Sequence, residues 1–572
     1  MDLQDYEYYE ARAKDVKLED ITSSQHNADI LAMLRNCHPH FTLIFITDES
    51  DYYDYHEFVV CEGDDLGWLG YFVGRSKELE YLNISDLPDN LNIDSFLRGL
   101  GHNRSIQTLC ICTDIGESCF QTLVPFLRNN NNLRDLTFTC FNIGLQCARN
   151  IASLLGQRSS LKSLNFGSTD LGDEELVEIA SALRTQPQID ELSLCHNHIG
   201  RDGCVALGNV LEGVRNPNLA TLNIGSNVID DEGLHALVAG LINCDKLTSL
   251  NLNGNALITG AGLRSLSTLF QSEHCRLEQL NLDQTSIDND GAAVLTAGLA
   301  RLPTLTKLNL SNNRIGDQGL QALVGSLVNC NIEQLYLSNN SFSALGLRSL
   351  GSLMQRETRL TSLWLGRNAI NDEGIECLVE GIVNCCSLQT LNLSINHSIT
   401  AVGLASLSTF FRSDNCCLEK LWLWGINFGD DGAVALADGL MGNNSLTHVN
   451  FDSRGITSRG WSAFSKLLCD TASVNNTYLS NHTLVEIGGY RNVGNPSTIV
   501  EYLKFNKLQN CTAAICKILD SHPDIDVEPL FLWKLKCLPL VVRWLEKAKP
   551  YLGYVSESTG TFQCRQLSAL YK

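Results

Sequence analysis

Between Leu305 and Asn331 the chain reads LTKLNLSNNRIGDQGLQALVGSLVNCN, and its apolar positions change period halfway. Leu305-x-x-Leu308-x-Leu310 places Leu308 and Leu310 on one side of the chain and Asn309 on the other, which predicts a short strand with one buried face. Leu320, Leu323, Val324 and Leu327 then recur at i, i+3, i+4 and i+7, which predicts a helix with one apolar stripe. Asp317 is the expected N-cap of that helix. Asn313 falls between the two elements, where its carboxamide can bond the free backbone groups of its own turn and of the same turn in a neighbouring copy. A unit this small cannot enclose its own apolar face, so it needs copies stacked on both sides.

Such copies run through most of the sequence. The apolar-x-x-apolar-x-apolar pattern starts at Leu79, Ile106, Leu133, Leu161, Ile189, Leu219, Leu247, Leu277, Leu305, Ile332, Leu360, Leu388, Leu418, Leu446 and Val474, at intervals of 27 to 30 residues. The turn position recurs as Asn197, Asn227, Asn255, Asn313, Asn340, Asn368 and Asn396, with Thr169 and Thr285 substituting. This pattern resembles the leucine-rich repeat, L-x-x-L-x-L-x-x-N/C-x-L, and the repeat length resembles the ribonuclease-inhibitor-like subfamily. The resemblance covers about residues 79–482 and weakens at both ends, where Leu87, Asp114, Phe141, Arg454 and His482 stand at the turn position. It implies an α/β fold: a leucine-rich repeat solenoid, or horseshoe, with parallel strands on the concave face, helices on the convex face and a cap at each end.

Three regions follow: an acidic N-terminal α/β capping region at 1–78, a solenoid of about 15 repeats at 79–482, and a helical C-terminal cap and tail at 483–572. In the first, residues 27–35 read as a helix, 41–46 as a strand, 58–61 as a strand able to pair back, and 66–73 as an apolar cover for the first repeat. The stretch 48–57, DESDYYDYHE, is either a solvated loop or a docking segment for a basic partner under the control of tyrosine phosphorylation. In the last region, helices are expected at 496–507, 512–519 and 529–549.

A second level of repetition relates residues 219–246 to 360–387 at an offset of 141, and the next two repeats share it. The leucines match between the copies, but Asn223 becomes Trp364, Asn281 becomes Trp422 and Asp283 becomes Trp424.

Length alone, 572 residues, would suggest several globular domains; the repeats overrule that, because a solenoid grows without a domain limit. The formal net charge of −22 makes contact with phosphate backbones or anionic membranes unfavourable and favours a basic protein partner. The N-terminus has no apolar run, and no stretch approaches a membrane span, so a cytoplasmic or nuclear protein with reduced thiols is expected. Cys244, Cys275, Cys330, Cys385, Cys386, Cys416 and Cys417 share one register just before a strand, where small buried residues fit the turn.

No cofactor is expected. The run Gly70 to Ser76 is one residue short of a P-loop and has Arg for Lys, and Cys37-His38-Pro39-His40 lacks a distant fourth metal ligand. Asp230-Asp231-Glu232, Asp372-Glu373 and Asp430-Asp431 open repeat helices, where negative charge serves the helix dipole and capping. No catalytic set remains, and the chain reads as non-enzymatic.

The candidate site is instead the outward face of the strands. Tyr336, Trp364, Trp422, Trp424 and Tyr478 are expected there, with Arg367, Lys420, His448 and Asp452 beside them. Two readings stay open: the rings anchor a partner, or they stack along the ladder and stabilise the sheet. The resemblance implies protein binding, as a scaffold, as an inhibitor of a basic enzyme such as a ribonuclease, or as an activator of a small GTPase.

Overall fold

The computed structural model describes residues 4–48, 56–61, 64–87, 91, 93–156, 160–186, 188–213, 217–355, 359–489, 495–508 and 510–522. The chain divides into two compact units, Met1–Phe342 and Ser343–Lys572. The expected third C-terminal helix and most of the acidic Tyr-rich stretch lie outside the described residues.

The first unit carries β1 (Leu43–Thr47), β2 (Glu57–Val59), β3 (Tyr81–Ser85), β4 (Thr108–Cys112), β5 (Asp135–Phe138), β6 (Ser163–Asn165), β7 (Glu191–Ser193), β8 (Thr221–Asn223), β9 (Ser249–Asn251), β10 (Gln279–Asn281), β11 (Lys307–Asn309) and β12 (Gln334–Tyr336). Every neighbouring pair from β3 to β12 is parallel, and β1 lies between β2 and β3, parallel to both. The strand expected at 58–61 therefore extends the sheet by parallel pairing. The second unit carries β13 (Ser362–Trp364), β14 (Thr390–Asn392), β15 (Lys420–Leu423), β16 (His448–Phe451) and β17 (Glu486–Gly488), again parallel throughout. Both units are leucine-rich repeat solenoids, each strand from β2 onward followed by a helix.

The repeat at Leu305 folds as its pattern requires. Leu305, Leu308 and Leu310 are fully buried, and so are Leu320, Leu323 and Leu327 on the helix Asp317–Leu327. Asn313 is buried in the turn; its Nδ2 donates to Leu310 O and Ser311 O in its own turn and to Leu282 O of the preceding repeat, at 2.8–3.1 Å. Its Oδ1 accepts from Thr285 N and Ile287 N. One side chain thus satisfies five backbone groups that burial would otherwise leave unpaired. Thr285 and Thr169 reach the carbonyl three residues back, Leu282 O and Phe166 O, and the amide oxygen of the next turn, Asn313 Oδ1 and Asn197 Oδ1.

The expected N-cap at Asp317 is corrected by one residue. Gly316 holds that position, and Asp317 is the first helical residue. A glycine has no side chain to cap with, and the cap comes from the previous repeat: Asn289 Oδ1 accepts from Gly316 N and Gly319 N at 2.8 and 2.9 Å. The same relay joins Asp231 to Thr259 N and Gly262 N, and Asp372 to Thr400 N and Gly403 N. Each donor helix has its own cap one residue earlier, Asp230, Asp288 or Asn371. Adjacent Asp or Asn side chains, Asp230–Asp231, Asp288–Asn289 and Asn371–Asp372, therefore close two helix ends, their own and the next.

At the amino end, the apolar run expected to cover the first repeat is the helix Leu66–Arg75, buried along its length. Gly70 and Gly99 allow its backbone to touch the first repeat's helix, Asp94–Leu100; a Cβ on Gly70 would fall 2.4 Å from Phe96 O. The near P-loop run is part of this helix and forms no phosphate-binding turn. Cys37, at φ +47, ends the helix Gln25–Arg35, with His38 N returning to Met33 O at 3.0 Å. Farther along, the missing turn amide at Phe141 is replaced by rings: Phe141 is buried and stacks on Phe120, and Phe138 on Phe166.

The last repeat is also corrected. Val474 begins a helix, Val474–Leu479, and the strand is β17, with Leu484 and Ile487 buried in the repeat's apolar positions. Asn481 marks the true phase three residues before Leu484, as Asn443 precedes Leu446: each accepts from the backbone N–H two and three residues on. The C-terminal helices expected around 496–507 and 512–519 are Ser497–Asn506 and Asn510–Ser521.

Candidate functional site

Parallel register lines up the outward strand positions of the second unit in rows. Ser362, Thr390, Lys420, His448 and Glu486 form one row; Trp364, Asn392, Trp422, Asn450 and Gly488 form the next. Trp364 and Trp422 are thus two strands apart, about 10 Å, with Asn392 between them. Trp424 follows Trp422 two residues along the chain, at the start of the turn that ends β15. Trp364 and Trp422 are half-buried, Trp424 is 46 % exposed, and Lys420 and Arg367 are exposed. Asp452 is clamped by its near neighbour Arg454, whose Nε donates to both carboxylate oxygens at 3.0 and 2.9 Å, and this holds the carboxyl below its usual range. His448 bonds Thr447 Oγ1 at 2.8 Å.

Of the other two expected site residues, Tyr478 is not part of this group. Tyr336 ends β12 in the first unit, where its hydroxyl donates to Gln334 Oε1 at 3.0 Å and Lys307 Nζ lies 5.6 Å from its ring centre. Tyr478, 60 % exposed, sits on the helix Val474–Leu479 and not on the sheet, because the last repeat begins ten residues later than its spacing suggested.

The tryptophans occupy positions with a structural use elsewhere. In six strands the equivalent residue is Asn165, Asn223, Asn251, Asn281, Asn309 or Asn392, and its Oδ1 accepts the backbone N–H two residues on at 2.8–3.3 Å. An indole cannot accept that bond. Trp364 and Trp422 forgo it, at a cost of about 1 kcal/mol each. The indole Nε1 of Trp422 is itself buried without an acceptor among the described residues.

One residue of this face escaped the sequence reading. The turn after most strands holds a residue in the left-handed region: Asp86, Cys140, Ser168, His196, Ser226, Gly254, Gln284, Asn312 and Asn339 in the first unit, Arg367, Ile395 and Gly425 in the second. Its N–H extends the ladder, as from Ser226 to Asn253 O, Arg367 to Ser394 O and Ile395 to Trp424 O. Ile395, at φ +59, is β-branched, and such a residue is a strained occupant of this region. Its half-exposed side chain lies 3.1 Å from the position a Cβ would take on Gly425, next to Trp424. No sequence period marks it; only alignment of the turns shows an aliphatic residue where polar ones or glycine are usual.

The cysteine register divides. Cys244 and Cys385 are buried, Cys275, Cys330 and Cys416 are half-buried, and Cys386 and Cys417 are exposed. The buried-turn reading is thus corrected for Cys386 and Cys417: in a vicinal pair only one side chain can enter the turn. Burial pushes the Cys244 thiol up to about 12 and that of Cys330 to about 11. Among the described residues no group of three or more His, Cys, Asp or Glu is placed to hold a metal ion, and no helix is long and apolar enough to cross a membrane.

A family model described as Leucine Rich repeat matches residues 215–238, 243–267, 301–324, 358–379 and 384–408. NACHT, LRR and PYD domains-containing protein 3 of Bos taurus is 32% identical over 252 residues, 43% of this chain and 24% of that protein. Ribonuclease inhibitor of Sus scrofa is 32% identical over 241 residues, 42% of this chain and 46% of that protein. The chain thus spans about a quarter to a half of the length of these relatives. Among solved structures, an internalin of Listeria monocytogenes aligns with 68% of this chain and 95% of that chain, at 20% identity and a TM-score of 0.37.

Proposed function

Because the chain is a leucine-rich repeat protein of the ribonuclease-inhibitor-like kind, we propose that it is a non-enzymatic scaffold that holds a partner protein against the aromatic face of its second unit. The observation that carries this reading is the exchange of asparagine for tryptophan at Trp364 and Trp422. A bond made in six other strands is given up there for a large, partly exposed ring. Rings of this kind on a rigid sheet, bordered by charge, are the usual anchors of protein interfaces. At Trp422 ladder stacking explains the exchange less well, since its ring makes no contact with another aromatic residue among those described. The test replaces Trp422 and Trp424 by Ala and captures partners from the native source. The variant should keep the thermal midpoint of the parent and retain the partner at least tenfold more weakly; equal retention refutes the proposal.

A second reading is inhibition of a basic enzyme by occlusion. It is favoured by the similarity to ribonuclease inhibitor of Sus scrofa and by the net charge of −22. Titrating a pancreatic-type ribonuclease with the purified protein decides it, since a tight inhibitor abolishes activity at a one-to-one ratio.

A further inference from the structure

We infer that the aromatic face of the second unit recognises an acidic segment with an apolar anchor residue, the opposite sign to the basic partner that total charge favours. The inference rests on the binding reading above and specifies its partner. Arg367 and Lys420 are exposed at the edge of the tryptophan group, and neither has an acidic partner among the described residues. The acid that could cancel them, Asp452, is already neutralised by Arg454, and Glu486 stands two strands from Lys420 along their row, about 10 Å away.

Backbone conformation gives a second, independent support. Arg367 and Ile395 hold the left-handed turn position at φ +54 and +59, where the other described turns from Ser168 to Asn339 use Ser, His, Gly, Gln or Asn. A long cation and a β-branched aliphatic chain are held there against a conformational cost of about 1 kcal/mol or more each. Ile395 adds an apolar surface next to Trp424, and Arg367 adds a charge one strand further along the same row of turns. A partner chain with Asp or Glu flanking a Leu, Phe or Trp meets both: carboxylates at Arg367 and Lys420, and the apolar residue against Trp424 and Ile395. Charge complementarity of this kind sets register and association rate more than total affinity.

The test selects a random 12-residue peptide library displayed on phage against the intact protein, then measures the enriched peptides by fluorescence anisotropy. The expected pool carries an excess of Asp and Glu around an apolar residue and binds Lys420→Glu/Arg367→Glu at least tenfold more weakly. Its affinity should fall as salt rises. Both substituted side chains are exposed, so the thermal midpoint should not move. A basic or neutral pool that still loses binding to Trp424→Ala overturns the acidic assignment and leaves the docking surface standing. A pool indifferent to Trp424→Ala, or no enriched pool, overturns both.

Discussion

Asn313 shows how one residue fixes a repeat: five bonds from a single carboxamide join two turns, which is why the asparagine ladder can be read from sequence. Lys517 shows the reverse. Nothing in its local sequence marks it, yet in the helix Asn510–Ser521 it is fully buried, and its Nζ donates to Leu468 O and Asn481 O at 2.6 and 2.9 Å and lies 3.2 Å from His482 Nδ1. Burial lowers its pKa to about 7 and lowers that of His482 as well. The folded value lies below the unfolded one, so between pH 7 and about 10 the unfolded chain holds a proton that the folded chain has released. Stability therefore rises with pH through that window, by up to about 1.4 kcal/mol per unit. The buried thiols act in the other direction above their unfolded pKa of about 8.5, so the usable window is pH 7 to 8.5. Urea unfolding of the wild type should gain stability across it, and Lys517→Met should gain at least 1 kcal/mol less; equal slopes would show that the buried amine does not titrate there.

At the level of helices, glycines decide how closely neighbouring repeats pack. In the second unit the helices Ala344–Met354 and Asp372–Ile382 touch at Gly351 and Gly381, where a Cβ on Gly381 would fall 2.3 Å from Gly351 Cα. In the first unit Gly325 sits within the helix Asp317–Leu327 with nothing within 4 Å of its missing Cβ. The same substitution should then have opposite signs. Gly381→Ala forces two backbones apart and should cost about 1–3 kcal/mol, whereas Gly325→Ala only improves helix propensity and should add about 0.5–1 kcal/mol. Thermal midpoints of the two variants on either side of the wild type would support this account; two shifts of the same sign would refute it. The repeat phase already separates these glycines, since Gly325 aligns with the exposed Glu380 and Gly381 with the buried Ser326. The strands and helices themselves were legible, since their periods differ, and the errors fall where spacing was extrapolated. Tyr478 was placed on the sheet because Val474 kept the interval of 28, although the true signal, an Asn three residues before the first leucine, was present at Asn481. Trp364, Trp422 and Trp424 were placed by register alone, which the leucines fix. Ile395 was missed because its significance lies in a backbone angle that no residue pattern encodes.

Across the molecule the physics is that of nearest neighbours. Within each unit the repeats bury their leucines against the neighbours before and after, some cap the next helix, and turns borrow an amide from the next copy, so these contacts pass between neighbouring repeats. A chain built this way need not unfold as one body, and its stability is close to a sum of repeat and interface contributions. Leu308→Ala removes a fully buried side chain from the middle of the first unit and should cost about 2–5 kcal/mol. If coupling passes only between neighbours, the loss stays local. Native-state hydrogen exchange should show faster exchange at Leu280 and Leu335, the flanking residues in β10 and β12, while Leu109 in β4 keeps its protection. If the unit instead melts as a single cooperative body, all three amides lose protection by the same factor. That result would mean the strand and helix stacks of the unit transmit strain over many repeats.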